Sequence, residues 1–342
     1  MNALSPKERL LRTFSRRKVD RPPVICTGGM MNSAIVEVMD RTGHELPAGH
    51  FDQKLMADLA AAVQAETGFE NIGVPFCMTA EAEVLGSEID FGSLICEPKI
   101  ASEVFPSVAQ VRFQLLPDLL RRGRIAVISE AVSLLAARQR DVPVVGSLTG
   151  PVSTAASIVD PMQFLRELRK DPQGCHRVLT YVSEFLVAYG RQMAEAGATA
   201  ICIGDPTATG EILGPRLFRE YALRYLNQVI DGLHCAGVPV IVHVCGDLQP
   251  VRSCLPDLHA DAVSTDAMVN LKQLKRDFPG LVTMGNLSTF LLEFGPVDRI
   301  ASQTRNLVAD GIDIISPACG LSTSTQLRHI HALTGAVREG LA

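Results

Sequence analysis

The sequence predicts a parallel α/β fold, a (β/α)8 TIM barrel in a single domain over residues 1–342, with an N-terminal helical extension and insertions. Short apolar, β-rich runs alternate with amphipathic helical stretches, as is typical of parallel α/β architecture. Eight such runs favour a closed barrel over an open sheet, and a chain of this length suits a single barrel. No glycine-rich dinucleotide fingerprint follows any run, which argues against a Rossmann fold.

The elements follow in chain order. An amphipathic helix is predicted over Pro6–Ser15, with Ser5 as its cap. Residues 35–135 are less regular and are predicted to carry insertions, including a hairpin near Glu83–Glu97. The predicted strands are Val24–Cys26, Asn71–Val74, Val142–Leu148, Ala198–Ile203, Val238–Cys245, Ala262–Thr265, Leu281–Met284 and Ile312–Ser316. The helices predicted between the later strands are Met162–Lys170, Cys175–Glu195, Gly214–Ala236 and Asp298–Ala309.

Composition and charge exclude several classes of function. The chain is 47% hydrophobic with a net charge of −5, whereas nucleic acids and anionic membranes select basic surfaces. Residues 1–21 lack the apolar core of a signal peptide, and no run approaches the roughly 18 apolar residues of a membrane span. Nine irregularly spaced cysteines are typical of free thiols plus a metal site rather than of a disulfide framework. We expect a cytoplasmic protein that binds neither nucleic acid nor membrane; a homo-oligomer is left open.

Clusters of small and polar residues follow six of the predicted strands. In a barrel, active sites lie at the carboxyl ends of the strands, where the loops gather. We therefore expect these clusters to face one cavity. They are Gly146–Pro151, Gly204–Pro206, Cys245–Asp247, Asp266, Gly285–Asn286 and Ala318–Gly320.

Three metal-ligand residues occur among these clusters. His243 and Cys245 stand two apart in an apolar run, so both side chains point to one side of the strand. Cys319 closes the last predicted strand. One histidine and two cysteines predict a zinc site with an open fourth position, the mark of a catalytic rather than a structural site. On spacing alone, the alternative of plain core residues stays open, since free cysteine is often buried.

Thiol chemistry fits this ligand set. The thiolate, not the thiol, is the nucleophile, and zinc removes the thiol proton outright. Two thiolate ligands also leave zinc less electrophilic, so a bound sulfur keeps its nucleophilicity. The site therefore suits alkyl transfer to sulfur better than activation of water.

Other candidates are weaker, because acids at strand ends also occur as helix caps. Asp205, beside Pro206, is the best candidate for an acid in the cavity. Glu211, Asp247 and Asp266 are candidates for a fourth zinc ligand. Two further cysteines, Cys202 and Cys235, are expected in the core. The remaining histidines are expected at the surface or as caps: His44, His50, His176, His234, His259, His329 and His331.

The motifs together resemble the uroporphyrinogen decarboxylase superfamily, and within it the methylcobalamin:coenzyme M methyltransferase branch. The resemblance runs over nearly the whole chain. It rests on Ser5–Leu11, Val19–Pro23, Leu148–Pro151, Gly204–Pro206, His243–Gly246, Gly285–Leu287 and Ser316–Gly320. It implies a (β/α)8 enzyme whose zinc is held by His243, Cys245 and Cys319. It also implies methyl transfer from a methylated corrinoid to a thiol such as coenzyme M.

One segment departs from the decarboxylases of that superfamily. These carry Arg-Gln-Ala-Gly-Arg after the first strand, where the arginines bind substrate carboxylates, whereas this chain has Cys26–Asn32 without arginine. The loop of Gly28, Gly29, Met30, Met31 and Asn32 is instead a candidate apolar surface for a flat corrin ring. A plain turn with two methionines in the core is the alternative.

The methyl donor is expected on a separate molecule. Corrinoid-binding modules commonly carry Asp-x-His-x-x-Gly, and the nearest match, Asp231–Gly237, has the wrong spacing. A corrinoid protein or free methylcobalamin would then supply the methyl group. Two alternatives remain: a metal-free, uroporphyrinogen decarboxylase-like lyase that acts on a tetrapyrrole or polycarboxylate, and a non-catalytic corrinoid-binding protein.

Overall fold

Parallel strands alternate with helices along residues 3–339, the part of the chain that the structure, a computed structural model, describes. The strands are β1 (Ile72–Val74), β2 (Glu88–Asp90), β3 (Lys99–Ser102), β4 (Val144–Thr149), β5 (Ala200–Gly204), β6 (Val240–Val244), β7 (Ala262–Thr265), β8 (Thr283–Leu287) and β9 (Ile314–Pro317). The helices of the first half are α1 (Pro6–Phe14), α2 (Val36–Thr42), α3 (Gln53–Thr67), α4 (Ala80–Leu85), α5 (Leu116–Leu119), α6 (Gly123–Arg138), α7 (Pro151–Ile158) and α8 (Pro161–Lys170). Those of the second half are α9 (Pro172–Glu195), α10 (Gly210–Leu217), α11 (Arg224–His234), α12 (Leu271–Asp277), α13 (Thr289–Phe294), α14 (Val297–Ala309) and α15 (Leu327–Glu339).

Seven of these strands form one parallel sheet. Its order is β1-β4-β5-β6-β7-β8-β9, while β2 and β3 pair separately as an antiparallel hairpin. Strands β4 to β7 are buried along their whole length, which explains why they read as apolar runs in the sequence. The prediction of a parallel α/β fold is confirmed, and seven of the eight predicted strands lie in this sheet. No helix in the described part of the chain is long and apolar enough to cross a bilayer.

The first predicted strand, Val24–Cys26, forms only an isolated bridge between Val24 and Ile315 of β9. A side chain explains the interruption. The amide oxygen of Asn71 accepts from the Cys26 N–H at 2.8 Å, and its Nδ2 donates to the Cys26 carbonyl at 2.9 Å. Asn71 therefore takes both backbone groups of Cys26 that a neighbouring strand would otherwise bind.

Two other predicted elements need correction. The predicted helix Gly214–Ala236 is divided into α10, a π-helical turn over Phe218–Leu223, and α11. Gly214 has φ +65° and ψ 169°, outside the helical region, and Pro215 follows it, so α10 is kinked there. The hairpin predicted near Glu83–Glu97 is formed by β2 and β3, while Glu83 belongs to α4.

An ionic cluster ties the N-terminal helix to the sheet. Ser5 caps α1 as predicted, through its side chain on Glu8 N. Arg9, which is 3% exposed, pairs with Asp20 and with Glu70, each at 2.8 Å. Arg21 donates to the same buried Glu70. The charged residues of the N-terminal motifs thus fix α1 beside the start of β1.

Candidate metal centre

His243, Cys245 and Cys319 meet at the carboxyl ends of β6 and β9. His243 lies within β6, Cys245 follows its last residue, and Cys319 lies two residues beyond β9. One ligand atom from each residue, the imidazole nitrogen and the two sulfurs, lies within 4.8 Å of the others. The structure therefore brings together, across the sheet, three side chains that the sequence separates by up to 76 positions (319 minus 243).

The state of His243 fits a metal ion. Its side chain is 1% exposed, and its Nε2 has no hydrogen-bond partner among the described residues. A buried polar nitrogen without a partner is costly, and a metal ion would supply the missing partner. Cys245 and Cys319 are half-buried, so the cluster is open on the side of the thiols.

The two thiols are electrostatically unequal. The hydrogen bond from Cys245, helped by His243, holds the pKa of the Cys319 thiol well below its usual range against the opposing effect of burial. The same interaction raises the pKa of Cys245, because two thiolates this close repel each other. By contrast, burial raises the pKa of Cys26 to about 12 and that of Cys202 to about 11. Anionic sulfur is therefore favoured at Cys319 and disfavoured at Cys245 and at the neighbouring core thiols.

The loop Gly28–Asn32 lies directly against this cluster. The sulfur of Met30 is 3.4 Å from the sulfur of Cys245, and the sulfur of Met31 is 3.6 Å from the hydroxyl of Ser264. Gly28 and Gly29 have φ +129° and +56°, which glycine adopts readily, and they turn the chain toward the ligands. Met30 thus contacts a candidate ligand, whereas Met31 contacts a serine beside the cluster. Binding of a corrin by this loop stays a prediction.

Glycines next to the ligands make room for the loop. A Cβ on Gly320 would lie 2.3 Å from the Met30 carbonyl oxygen, and one on Gly204 would lie 3.4 Å from the Met30 Cβ. Asn32 completes the attachment, since its carbonyl accepts from Leu321 N at 3.1 Å, two residues after Cys319. The Asn32 side chain also donates to Glu97 at 3.2 Å.

Asp205 lies at the amino end of α7, 2% exposed. One carboxylate oxygen accepts from Ser153 N at 2.8 Å and Ser153 Oγ at 2.6 Å, and the other accepts from Val152 N at 3.1 Å. Burial raises the pKa of Asp205 to about 6, although these hydrogen bonds lower it. The carboxylate occupies the unpaired N–H groups of α7, and its role as an acid in the reaction stays a prediction.

The candidate fourth ligands do not join the cluster within residues 3–339. The Glu211 carboxylate would be 2.7 Å from a Cβ on Gly246, so it packs beside the loop that follows Cys245. Asp247 accepts from Gln249 N, and Asp266 accepts from Met268 N. Asp247 is therefore engaged in a turn of its own loop, whereas Asp266 also accepts from Gly246 N at 3.4 Å, beside Cys245.

The sequence reasoning missed other features of the site. The hydroxyl of Ser264 in β7, a fully buried residue, lies 2.9 Å from His243 Nδ1, and the only signal for it in the sequence is a polar side chain within an apolar strand.

Some burial predictions away from the site need correction. Two histidines expected at the surface or as caps, His50 and His329, are buried, and Cys235, expected in the core, is exposed. Cys202 is buried, as predicted.

Known proteins share this chain's sequence and fold. The methylcobamide:CoM methyltransferase MtbA of Methanosarcina acetivorans is 32% identical over 327 residues, 95% of each chain. The methylcobamide:CoM methyltransferase MtaA of Methanosarcina barkeri is 30% identical over 346 residues, 99% of each chain. A solved structure described as a methyltransferase from Methanosarcina mazei superposes with a TM-score of 0.93 at 30% identity, covering 99% of this chain and 100% of its own.

The family match agrees with the resemblance predicted from the motifs. The uroporphyrinogen decarboxylase family profile matches residues 5–340, nearly the whole chain. That span contains the three clustered ligand residues and the glycine-methionine loop. The protein belongs to the uroporphyrinogen decarboxylase family.

Proposed function

We propose that this protein is a methyltransferase that moves a methyl group from a methylated corrinoid to a thiol. Two similar proteins carry methylcobamide:CoM methyltransferase in their names, which supports a methylated corrinoid as donor and coenzyme M as a candidate acceptor. In the overall reaction the thiol loses its proton, its sulfur bonds to the methyl carbon, and the cobalt–carbon bond breaks with both electrons left on cobalt. The products are a methyl thioether, a cob(I)amide and a proton.

The observation that carries the proposal is the cluster of His243, Cys245 and Cys319. Their ligand atoms lie within 4.8 Å of one another, and the buried His243 Nε2 has no other partner in residues 3–339. One nitrogen and two sulfurs are a donor set that zinc prefers. Zinc held by these three residues would bind the acceptor as a thiolate at neutral pH.

The residues around the cluster leave room for the acceptor and limit the access of water to it. The half-buried thiols leave one side of the cluster open to the acceptor. The thioether of Met30 lies along Cys245 and presents an apolar wall there. Such a wall limits access of water, and a less hydrated sulfur is a better nucleophile. The carboxylate of Asp205 holds the amino end of α7 in place and is our candidate for orienting the acceptor.

A decarboxylase-like lyase is the alternative that the family raises. The segment Cys26–Asn32 contains no arginine, and its two methionine sulfurs lie toward Cys245 and Ser264. Cationic side chains in this loop would be needed to hold the carboxylates of a porphyrinogen. The apolar character of the loop therefore favours methyl transfer.

We also propose that the chain is one domain whose sheet closes into a barrel through residues 23–26. Ile315 of β9 donates its N–H to Pro23, and Ile25 donates to Ile315. On the other side, Glu70 N donates to the Val24 carbonyl at 2.8 Å, just before β1. These bonds link the two outer strands of the seven-stranded sheet through one segment.

The test combines metal content with turnover. We expect about one zinc per chain in reduced wild-type protein, and thiol-dependent demethylation of methylcobalamin, followed by absorbance, with coenzyme M and a panel of other thiols. Cys319→Ala is expected to lose both. Cys202→Ala, which removes a buried core thiol outside the cluster, is expected to keep both.

Two outcomes would overturn the proposal. Wild-type protein without zinc would leave the decarboxylase-like reaction as the better reading. Zinc-loaded protein that binds methylcobalamin but transfers no methyl group to any thiol would indicate a non-catalytic corrinoid-binding protein.

A further inference from the structure

The hydroxyl of Ser264 lies between His243, a candidate metal ligand, and the sulfur of Met31. We propose that Ser264 is a positioning residue that holds His243 with Nε2 free for the metal, and that Met31 sets the direction of the Ser264 hydroxyl. The inference rests on the zinc site of the proposed function and assigns the residues that orient its histidine.

Strand register places the two residues side by side. In the parallel pairing of β6 with β7, His243 is the Cα partner of Ser264. Register partners in neighbouring parallel strands project to the same face of the sheet. His243 is 1% and Ser264 0% exposed, so water does not compete for their contact. The distance from His243 Nδ1 to Ser264 Oγ is 2.9 Å.

The hydrogen-bond directions follow from what each group can do. Met31 is fully buried, and its thioether sulfur carries no hydrogen, so it can only accept. The Ser264 hydroxyl has one hydrogen, which it donates to Met31 Sδ at 3.6 Å. Ser264 Oγ is then left as an acceptor for His243 Nδ1–H. A neutral imidazole with its proton on Nδ1 keeps the lone pair of Nε2 for a metal.

The neutrality of serine has a chemical consequence. Zinc with two thiolates and a neutral imidazole carries no net charge. A carboxylate in place of Ser264 would add a negative charge beside His243 and oppose the arrival of a third, anionic sulfur. A hydroxyl orients the histidine without that penalty, which suits a site whose substrate is a thiolate.

Zinc affinity and histidine tautomer test the inference. We expect Ser264→Ala to weaken zinc binding by about 10- to 100-fold in competition with a chelator. Met31→Leu keeps the volume but removes the acceptor, and its expected loss is about 2- to 5-fold. In long-range ¹H–¹⁵N spectra of zinc-loaded protein, the His243 Nδ1–H signal is expected in wild type and broadened by exchange in Ser264→Ala.

Ser147→Ala is the matched control. Ser147 is a buried serine of β4 that lies against Gly29 of the same loop, and its Oγ has no hydrogen-bond partner in residues 3–339. We expect its zinc affinity within about twofold of wild type, since no ligand depends on it.

The outcomes separate this inference from the proposed function. Wild-type zinc affinity and an unchanged His243 signal in Ser264→Ala would overturn the positioning role while leaving the zinc site intact. Absence of zinc from wild type would instead overturn the proposed function. If Ser264→Ala does not fold, Met31→Leu decides, because unchanged zinc affinity and tautomer in that variant would contradict the inference.

Discussion

The sulfur of Met30 lies 3.4 Å from the sulfur of Cys245, although 215 positions separate the two residues in the chain. The contact joins the loop after residues 23–26 to the loop after β6. It places a soft, uncharged thioether beside a metal-ligand candidate. The loop whose sequence differs from that of the decarboxylases therefore contacts the candidate metal centre directly.

Shortening Met30 tests this wall. We expect Met30→Ala to retain about one zinc per chain but to lower kcat/KM for thiol-dependent demethylation about tenfold, equivalent to about 1.4 kcal/mol. The reason is that water would enter the space beside Cys245. Zinc analysis and initial rates over a range of thiol concentrations measure the two effects.

Met30→Leu is the matched variant, because it restores an apolar side chain of similar volume. Its expected kcat/KM is within about threefold of wild type. An equal loss in the leucine and alanine variants would show that the sulfur atom, not the apolar wall, is required.

Gly320 offers a steric test of how the Met30 loop packs against the segment that carries Cys319. Its added Cβ would lie 2.3 Å from the backbone oxygen of Met30, so Gly320→Ala requires the loop or the Cys319 segment to move. We expect a loss of about 1–3 kcal/mol in unfolding free energy, measured in urea, together with weaker zinc binding.

The control lies in the helix that follows. Gly335 of α15 has no atom within 4 Å of an added Cβ, and alanine is the better helix former there. Gly335→Ala is expected to raise the free energy of unfolding by about 0.5–1 kcal/mol without a change in zinc affinity. Wild-type stability and zinc affinity in Gly320→Ala would contradict the close packing of the Met30 loop.

The sequence predicts those parts of the site that local pattern encodes. His243 and Cys245 interrupt an apolar run at a spacing of two, so their common direction follows from strand geometry alone. Strands β4 to β7 were predictable because they are buried along their whole length, which makes them mostly apolar.

Other features depend on partners far along the chain and were not predictable from local pattern. Asn71 replaces a strand for Cys26 through side-chain hydrogen bonds, which no apolar pattern reveals. Ser264 meets His243 only because β6 and β7 pair in one particular register. The kink at Gly214 likewise overrides the helical periodicity that continues through it.

The buried carboxylate of Asp205 predicts a pH dependence of stability. Its pKa of about 6 in the folded chain lies above the ordinary 3.8, so the folded state holds this proton more tightly than the unfolded state. Binding of this proton therefore contributes fully to the free energy of unfolding below pH 3.8, and the contribution is lost as the pH rises through 6. The loss amounts to about 3 kcal/mol at neutral pH.

Urea unfolding of wild type and Asp205→Asn at pH 4 and pH 7 measures this. The free energy of unfolding of wild type minus that of the variant is expected to fall by about 3 kcal/mol from pH 4 to pH 7. Ser153→Ala lacks a hydrogen bond that lowers the pKa of Asp205, so in that variant the stability is expected to fall at a higher pH than in wild type. A difference between wild type and Asp205→Asn that does not change with pH would contradict a raised pKa at Asp205.

Removal of the buried Glu70 charge is expected to destabilise the fold strongly. Glu70 is 4% exposed, it accepts from Arg9 and Arg21, and it also accepts from Val24 N at 3.1 Å. Glu70→Gln leaves two guanidinium groups short of a buried negative charge, so we expect a loss of about 3–5 kcal/mol in unfolding free energy.

The exposed pair of Glu66 with Arg41 supplies the comparison for Glu70. These side chains are 38% and 53% exposed, and solvent screens their attraction, so Glu66→Gln is expected to cost at most about 1 kcal/mol. Urea unfolding of both variants measures the difference. Equal losses would mean that the buried cluster is as well screened as the surface pair. A much larger loss in Glu70→Gln would show that α1 and the residues bridging β9 to β1 are held by this one carboxylate, since Arg9, Arg21 and Val24 all meet there.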